Sequence, residues 1–284
     1  MKIIADSGST KTEWFVSQDG SNSTIQTLGI NPCVHSTDTI LEELNKLVDK
    51  LPSPTGNVKV YFYGAGCIPS KIEFMQECII KSFGSFCNKN ILTISVESDL
   101  LGAARSLFGQ KSGIACILGT GANSCYYENG IIKQNTPPLG FILGDEGSGA
   151  AIGKNFITKC LRHTFPEWII THFLEDCGMN QADFIDNIYR KPRPNAFLAS
   201  LTKHIIKYRG EESVHAFLIE QFRQFFTNHI LVYKHNELPV SFIGSIAYYF
   251  KEEITEAAHT CGLTIGKIER APMNGLIKYH EMYI

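Results

Sequence analysis

The sequence has few of the features that would place the chain in a membrane or on a nucleic acid. No apolar run approaches the ~20 residues that a helix needs to cross a bilayer, and the first residues read as a strand, not as a secretory signal. The formal charge of −2 at pH 7 provides no basic surface for nucleic acid or anionic lipid. We therefore expect a cytoplasmic protein that has neither nucleic acid nor membrane as a partner.

The nine cysteines lack the pairing that a metal site or a redox centre requires. None belongs to a C-x-x-C pair, and most lie in apolar surroundings. Histidines such as His163 and His172 stand at no recognisable zinc-ligand spacing. The cysteines are therefore predicted to be free and mostly buried thiols, and no zinc site is expected.

Two familiar phosphate-binding motifs are incomplete. Residues Gly149–Lys154 resemble a P-loop but are one spacer short, and Asn155 stands where that motif has Ser or Thr. Gly64-Ala-Gly66 follows a strand pattern, yet Pro69 occupies the third glycine position of a dinucleotide fingerprint. Neither motif is therefore favoured as the phosphate site.

A strand–turn–strand pattern does occur twice. An apolar run ending at Leu118 breaks into the turn Gly119-Thr-Gly121 and resumes at Ser124. The N-terminal segment repeats this pattern, with a polar turn from Asp6 to Lys11 between two apolar runs. Glycines around a hydroxyl residue let backbone N–H groups point at one spot, which suits an anion. The sequence therefore predicts two related halves whose hairpins face each other across a cleft.

The order of the predicted elements indicates an α/β fold, because strands alternate with helices. At 284 residues the chain is long enough for two domains. The most plausible boundary is Gly109–Gly113, which predicts domains over 1–110 and 111–284. The second domain would contain a helical insertion over 165–235, and the last helix is a candidate to return to the first domain.

Two helix starts carry capping signals. Thr39 and Glu42 fit a capping box, and Ser70 with Glu73 fits another. We therefore expect one helix to begin just after Thr39 and a second just after Ser70.

Polar residues and glycines collect at strand ends and turns, where a rigid scaffold presents functional groups. Each has a structural alternative: Asp6 could stabilise its turn, Asn31 its loop, and Asp99 could cap the helix that starts at Leu100. Thr120 could be a turn residue, and Asp145 with Glu146 could favour a helix N-terminus. As a set, however, they offer phosphate donors, carboxylates for a metal and a spare base.

Six segments also carry a family resemblance: Asp6–Thr12, Gly29–Asn31, Ser98–Ala104, Leu118–Ser124, Leu139–Ser148 and Ile243–Ser245. In this order they resemble the N-acetylglucosamine kinases of the BadF/BadG/BcrA/BcrD-type ATPase family. This family is part of the actin, sugar-kinase and heat-shock chaperone superfamily. The resemblance extends from the first predicted strand to the last predicted helix.

The resemblance implies two ribonuclease-H-like (actin-like ATPase) domains flanking a nucleotide cleft, with ATP and Mg2+ as cofactors. Asp6 would hold Mg2+, and Asp99 would bind the sugar and act as the catalytic base. The implied ATP-binding residues are Gly8, Ser9, Thr10, Lys11, Gly119, Thr120, Gly121, Gly244 and Ser245. The implied substrate-binding residues, besides Asp99, are Asn31, Ala122, Asn123, Gly140 and Asp145.

These residues predict phosphoryl transfer from ATP to a sugar, with the 6-hydroxyl of N-acetylglucosamine as the favoured acceptor. Leu139 stands where the resembled kinases often carry an aromatic residue, so glucosamine, glucose or a muropeptide-derived amino sugar are alternative acceptors. A second alternative is an ATPase activator of a CoA-ester reductase, although the chain has no paired cluster-binding cysteines. A third is a non-catalytic sugar or nucleotide sensor. A homodimer is left open.

Overall fold

The computed structural model describes residues 1–8, 10–88 and 90–284, and they form two compact units. The first unit comprises Met1–Gly109 together with Pro272–Ile284, and the second comprises Gln110–Ala271. The described residues of each unit contain one five-stranded sheet. The chain therefore completes most of the first unit, builds the second, and returns to the first with its last helix.

The sheet of the first unit is built from β1 (Lys2–Ser7), β2 (Lys11–Gln18), β3 (Ser21–Leu28), β4 (Val58–Gly64) and β5 (Leu92–Ser98). Strands β1, β2 and β3 pair antiparallel, whereas β4 and β5 run parallel to β1. The order β3-β2-β1-β4-β5 puts β1 in the centre, where Ile3 and Ala5 are fully buried. The carboxyl ends of β1, β4 and β5 consequently meet at one edge of the sheet.

The sheet of the second unit repeats this arrangement with β6 (Gly113–Leu118), β7 (Ala122–Glu128), β8 (Ile131–Asn135), β9 (Val240–Ile243) and β10 (Ile265–Glu269). Its order is β10-β9-β6-β7-β8. Strands β6, β7 and β8 pair antiparallel, and β9 and β10 run parallel to β6. The two strand–turn–strand patterns of the sequence are thus the central hairpins of two sheets with the same topology.

Helices connect and cover the strands of both units. Those of the first unit are α1 (Thr37–Val48), α2 (Pro69–Cys87), α3 (Asp99–Phe108) and α13 (Met273–Tyr283). Those of the second unit are α4 (Gly140–Leu143), α5 (Gly149–Leu161), α6 (Glu167–Cys177), α7 (Gln181–Tyr189), α8 (Pro194–Ser200), α9 (Thr202–Ile205), α10 (Glu212–Phe225), α11 (Ser245–Tyr249) and α12 (Lys251–Thr260). A 3-10 turn (Ile206–Tyr208) precedes α10, and a π-helical turn (Phe226–Ile230) and another 3-10 turn (Leu231–Tyr233) follow it.

Both predicted capping boxes are wrong. The N-cap of α1 is Ser36, whose Oγ accepts a hydrogen bond from the Thr39 N–H at 3.3 Å. The N-cap of α2 is Ile68, which makes no side-chain cap, and Pro69 starts the helix. The reason is that several nearby Ser and Thr residues suit the same role, and a proline at the first helical position needs no acceptor for its nitrogen.

The last helix is anchored to the first unit by a buried polar network. The Tyr63 hydroxyl lies 2.9 Å from Nε2 of His280 and accepts a hydrogen bond from Arg105 at 3.1 Å. Burial lowers the pKa of His280 to about 4, helped by the nearby charges of Lys2 and Arg105. The ring is therefore neutral at physiological pH, as its place in the core requires.

The second unit has an aromatic core in which sheet and helices share one hydrophobic cluster. Phe156 of α5 lies 4.8 Å from both Phe165 and Phe173, measured between ring centroids. Gly153 lets α5 approach α8 closely, because a Cβ there would overlap the backbone carbonyl of Leu198. The helical segment over 165–235 is therefore packed into the core of its unit.

Most of the cysteines are buried, as the sequence predicts. Cys67, Cys78, Cys87, Cys116, Cys125 and Cys160 are buried, and Cys33 is exposed. Within the three described ranges, no helix combines the length and the hydrophobicity that a membrane span would need.

The close approach of α5 to α8 predicts that a glycine-to-alanine substitution at the contact destabilises the protein, whereas one at an exposed helix position does not. Gly153→Ala should lower the free energy of unfolding by about 1–3 kcal/mol, because the added methyl group forces the backbones apart. Gly84→Ala, at an exposed position of α2 where a Cβ would meet no atom, should be neutral or raise it by up to about 1 kcal/mol. Urea unfolding measures both, and an undiminished midpoint for Gly153→Ala would contradict the packing.

Candidate functional site

Two carboxylates lie at the carboxyl edge of the first sheet. Asp6 belongs to β1, and Asp99 is the first residue of α3, directly after β5. Because β1, β4 and β5 are parallel, their carboxyl ends share this edge. The negative charge of Asp99 raises the pKa of Asp6, so the two side chains interact.

Burial controls the protonation of both carboxylates. It raises the pKa of Asp99 to about 6, against a hydrogen bond from the Leu100 N–H at 2.8 Å that lowers it. It also raises the pKa of Asp6 to about 7, where Asp99 and Glu13 add to the effect and Lys11 opposes it. No described residue donates a hydrogen bond to the Asp6 carboxylate. Both groups can therefore exchange a proton near neutral pH.

Asp99 is not needed as the cap of α3. That role belongs to Ser98, whose Oγ accepts a hydrogen bond from the Leu101 N–H at 3.2 Å. Asp99 follows in the first turn, where the helix N-terminus favours its ionised form. The carboxylate is therefore available for chemistry.

Asn31 is held in its loop from two sides. Ser7, fully buried at the end of β1, accepts a hydrogen bond from the Ile30 N–H at 2.9 Å. On the other side Gly66, at φ +77°, packs so closely that a Cβ would overlap the side-chain amide of Asn31. Oδ1 of Asn31 accepts from the Cys33 N–H at 2.9 Å. Among the described residues none accepts from Nδ2, which can therefore donate to a ligand.

The first hairpin turn adjoins the asparagine loop. The Gly8 N–H donates to the Lys11 carbonyl at 3.0 Å, and the Thr10 carbonyl accepts from the Gly29 N–H at 3.1 Å. The side chains of Thr10 and Lys11 are exposed. Ser9, a predicted ATP-binding residue, lies outside the described residues.

The second hairpin turn lies on the N-terminus of α5. The Gly149 N–H donates to the Gly119 carbonyl at 2.9 Å, and the Ala150 N–H donates to the Thr120 carbonyl at 3.1 Å. Within the described chain, the N–H groups of Thr120 and Gly121 have no protein acceptor. The turn therefore presents free donors beside the positive end of a helix, which is an arrangement that suits phosphate.

A second glycine turn, at Gly244, lies against the residue that precedes the second hairpin turn. It follows β9 at φ +129°, and a Cβ there would overlap the carbonyl oxygen of Leu118, the residue that precedes the second hairpin turn. Its N–H donates to the Glu269 carbonyl at 3.0 Å. Ser245, which starts α11, is exposed. Only glycine fits this close backbone contact at a positive φ without strain.

Asp145 is attached to the second hairpin. Its Oδ1 accepts a hydrogen bond from the Ala122 N–H at 3.2 Å, and a Cβ at Gly121 would lie 3.1 Å from its Oδ2, which is a tight contact. Burial raises the pKa of Asp145, although the Ala122 N–H lowers it. The Ala122 N–H already donates to Asp145 and is therefore not available to donate to a ligand.

Asn123 and Gly140 complete the predicted residues of the second unit. Oδ1 of Asn123 accepts hydrogen bonds from the Ser124 N–H at 2.9 Å and from Asn135 at 3.0 Å. Gly140, at φ +73°, starts the short helix α4, and a Cβ there would meet no atom within 4 Å. Its surroundings are therefore open to a ligand.

The structure thus gathers the predicted residues into two groups. The first-unit group consists of Asp6, Gly8, Thr10, Lys11, Asn31 and Asp99. The second-unit group consists of Gly119, Thr120, Gly121, Ala122, Asn123, Asp145, Gly244 and Ser245. Gly140 lies at the start of the segment that leads to Asp145.

Sequence reasoning missed residues that hold these groups in place. Ser7 and Gly66 hold Asn31, and their signals were present in the polar turn and in the Gly64-Ala-Gly66 motif. His229 contacts Glu146 at 3.0 Å, but nothing in the sequence pattern relates them. These contacts join segments that are far apart in the chain.

A cavity of about 850 Å³ lies elsewhere in the second unit. It is lined by residues of α12 and β10, including Thr255, His259 and Ile268. None of the predicted site residues lines it. The candidate site is therefore defined by its polar groups and not by this cavity.

Comparisons with known proteins identify the family. No protein-family profile and no curated protein matches the chain. A crystal structure of a candidate N-acetylglucosamine kinase from Porphyromonas gingivalis does: it shares 38% sequence identity, covers 100% of both chains and has a TM-score of 0.88. The chain belongs to the actin-like sugar kinases.

Two further structures share the fold of this sugar kinase. A candidate N-acetylglucosamine kinase from Chromobacterium violaceum is 17% identical, covers 98% of each chain and has a TM-score of 0.72. A ROK family glucokinase from Streptomyces griseus is 14% identical, covers 99% of this chain and 98% of its own, and has a TM-score of 0.58. At these identities the likeness concerns the fold alone. The predicted α/β fold of the actin-like ATPases is confirmed.

The sugar kinase offers a partial site for a cation. No group of three or more His, Cys, Asp or Glu residues that suits a metal ion occurs in the described part of the chain. Asp6, however, is a carboxylate whose pKa is raised by partial burial and by neighbouring negative charge, and a divalent cation would offset the cost of its ionisation. Mg2+ commonly binds one or two carboxylates and completes its shell with water and substrate phosphate. The residues present fit such an ion.

The raised pKa of Asp6 predicts how stability depends on pH. Because the folded pKa of about 7 exceeds the ordinary value of 3.8, ionisation of Asp6 destabilises the fold as pH rises between these values. Asp6→Asn cannot ionise. Without metal it should therefore unfold like the wild type near pH 4 and be more stable by roughly 2–4 kcal/mol near pH 8.

Urea unfolding in EDTA at several pH values measures this difference. Asp38→Asn, an exposed acid in the first turn of α1, is the matched control and should leave the pH dependence unchanged. A wild type as stable as Asp6→Asn near pH 8 would show that Asp6 ionises in the folded state without cost.

Proposed function

We propose that this sugar kinase transfers the γ-phosphoryl group of ATP to the 6-hydroxyl of N-acetylglucosamine, with Asp99 as the base. We further propose that it belongs to the BadF/BadG/BcrA/BcrD type within the actin-like sugar kinases. The observation that carries the proposal is the state of Asp99: a carboxylate with a pKa of about 6 at the carboxyl edge of a parallel sheet.

A general base works best when its pKa lies near the working pH. Burial brings Asp99 into that range, whereas an exposed aspartate would be a weaker base. Ser98 caps the helix, so the Asp99 carboxylate remains free to accept the proton of the sugar hydroxyl.

Phosphoryl transfer depends mainly on positioning and on neutralising the charge of the transferred group. The free N–H groups of Thr120 and Gly121 at the α5 N-terminus are suited to bind phosphate oxygens. In the first unit, Gly8, Thr10 and Lys11 would contact the phosphates, and Ser9, outside the described residues, remains a predicted ATP-binding residue. Gly244 and Ser245 would border the adenosine.

Asp6 would hold Mg2+, because a cation would stabilise the ionised form that burial disfavours. When bound, Mg2+ would neutralise the negative charge of the phosphate oxygens. The raised pKa of Asp6 supports this role, because a nearby cation would restore its ionised form at neutral pH.

The acceptor sugar would be held by the predicted substrate-binding residues, which each unit contributes separately. Within the first unit, Nδ2 of Asn31 would donate to a sugar hydroxyl. Within the second, the Asn123 side chain would donate to a hydroxyl and the Asp145 carboxylate would accept from one. Gly140 leaves open space beside α4, and Leu139, which is 59% exposed, offers an apolar contact for an acetamido methyl group. The acetamido preference is therefore part of the proposal.

The comparisons support the proposal in two ways. The Porphyromonas gingivalis protein, 38% identical over the full chain, is described as a candidate N-acetylglucosamine kinase. The Streptomyces griseus glucokinase was crystallised with glucose and AMPPNP, so this fold can hold a sugar and an ATP analogue in that enzyme.

A coupled assay of ADP release over a panel of sugars tests the proposed function. N-acetylglucosamine should give the highest kcat/KM, ahead of glucosamine, glucose and muropeptide-derived amino sugars, and activity should require Mg2+. ADP release that is independent of every sugar would favour an ATPase, and binding of ATP or sugar without ADP release would favour a sensor. Either result overturns the kinase proposal.

Asp99→Asn tests the role of the base. It should lower kcat by about 10²–10⁴-fold, because proton transfer to a positioned base contributes that much. The dissociation constant for ATP, measured by calorimetry, should barely change. Asp38→Asn again serves as the control, and near-normal turnover of Asp99→Asn would remove Asp99 from this role.

A further inference from the structure

A buried histidine contacts the loop that carries Asp145. His229 is 4% exposed and lies in the π-helical turn Phe226–Ile230. Its Nε2 lies 3.0 Å from Oε2 of Glu146, and the other oxygen of Glu146 accepts a hydrogen bond from Asn228 at 3.0 Å. One turn thus directs two successive side chains at one carboxylate. Single π-helical turns often occur at functional sites.

The surroundings of His229 fix its tautomer and its orientation. Because the Glu146 carboxylate can only accept, Nε2 carries the proton. Nδ1 is buried without a partner among the described residues, and a second proton there would leave a buried donor unsatisfied. The ring stacks on Phe225 at 4.9 Å between centroids, with 21° between the ring planes. His229 therefore donates from Nε2 to Glu146 in a fixed ring orientation.

The backbone of His229 also ties this turn to the second sheet. Its carbonyl accepts hydrogen bonds from Oγ1 of Thr136 at 3.0 Å and from Oγ of Ser124 at 3.4 Å. Ser124 belongs to β7, the strand that follows the second hairpin turn. The backbone of His229 is thus hydrogen-bonded to the strand that continues from the second hairpin turn.

The loop over 144–148 needs such support. Asp145 has φ +59°, a conformation that residues other than glycine rarely adopt and that persists only when the surroundings impose it. Gly147 packs against Phe225 so tightly that an added Cβ would lie 2.8 Å from the Cβ of Phe225. Glu146, between these two residues, is the polar contact of the loop with the π-helical turn.

We propose that His229 is a positioning residue. Through Glu146 it holds the loop so that Asp145 keeps its left-handed backbone and its hydrogen bond to Ala122. Asp145 is then directed at the acceptor sugar, and this last step rests on the proposed function. Loss of the contact should loosen the loop and weaken binding of the sugar while binding of ATP stays nearly unchanged.

His229→Ala and His229→Gln test the proposal together, since a glutamine amide can replace the Nε2 donor. Ile170→Val, a buried change in α6 away from the loop, is the control for a general loss of stability. Hydrogen exchange is measured over 120–123 and 144–148, where the protected Ala122 N–H reports on Asp145 without any reaction. KM for N-acetylglucosamine and KM for ATP are measured in parallel.

In His229→Ala the exchange of both segments should become about tenfold faster than in the control. The KM for sugar should rise by about tenfold or more, with less than a twofold change in KM for ATP. His229→Gln should restore most of both effects. Unchanged exchange, or equal changes in the two KM values with no rescue by glutamine, would overturn the proposal.

Glu146→Gln is the second variant if His229→Ala fails to fold. It removes the charge and one of the two hydrogen bonds, so the same changes should appear at smaller size. Should the wild type transfer phosphate to no sugar, the exchange measurement still decides the positioning role. The failure of the proposed function and the failure of this inference are therefore distinguishable.

Discussion

The unfavourable ionisation of two neighbouring carboxylates, Asp6 and Asp99, is the constraint on which the site of the first unit depends. The fold holds Asp6 and Asp99 at the carboxyl edge of its sheet, where burial makes ionisation of both unfavourable and the charge of Asp99 adds to the cost at Asp6. The hydrophobic core of that unit has to offset this cost. The result is an edge that favours a cation and the uptake of a proton, which are the two demands that phosphoryl transfer makes of protein carboxylates.

In the second unit the candidate phosphate-binding groups are backbone N–H groups. Its hairpin turn lies on the N-terminus of α5, and Gly244 brings another turn against the end of β6. These contacts require residues without side chains, because any Cβ at Gly244 would overlap the carbonyl of Leu118. The same topology thus carries carboxylates in one sheet and free N–H groups in the other.

Both groups depend on residues that touch no proposed ligand. Ser7 and Gly66 fix the loop of Asn31 within the first unit, and His229 supports the loop of Asp145 within the second. Supporting contacts of this kind determine how precisely a functional side chain is held. They also explain why the π-helical turn, in a segment that otherwise serves the core, is relevant to the site.

Local sequence patterns were enough to predict the α/β class, the two matching hairpins and the strand ends at which polar residues collect, because these follow from local periodicity and glycine chemistry. It did not determine which hydroxyl caps α1, since Ser36 and Thr39 are both suited to the role. The shifted pKa of Asp6 and the contact between Glu146 and His229, which are 83 residues apart, become visible only in the folded chain. Burial and long-range contacts arise when distant segments pack together, and the pattern of a single segment does not contain that information.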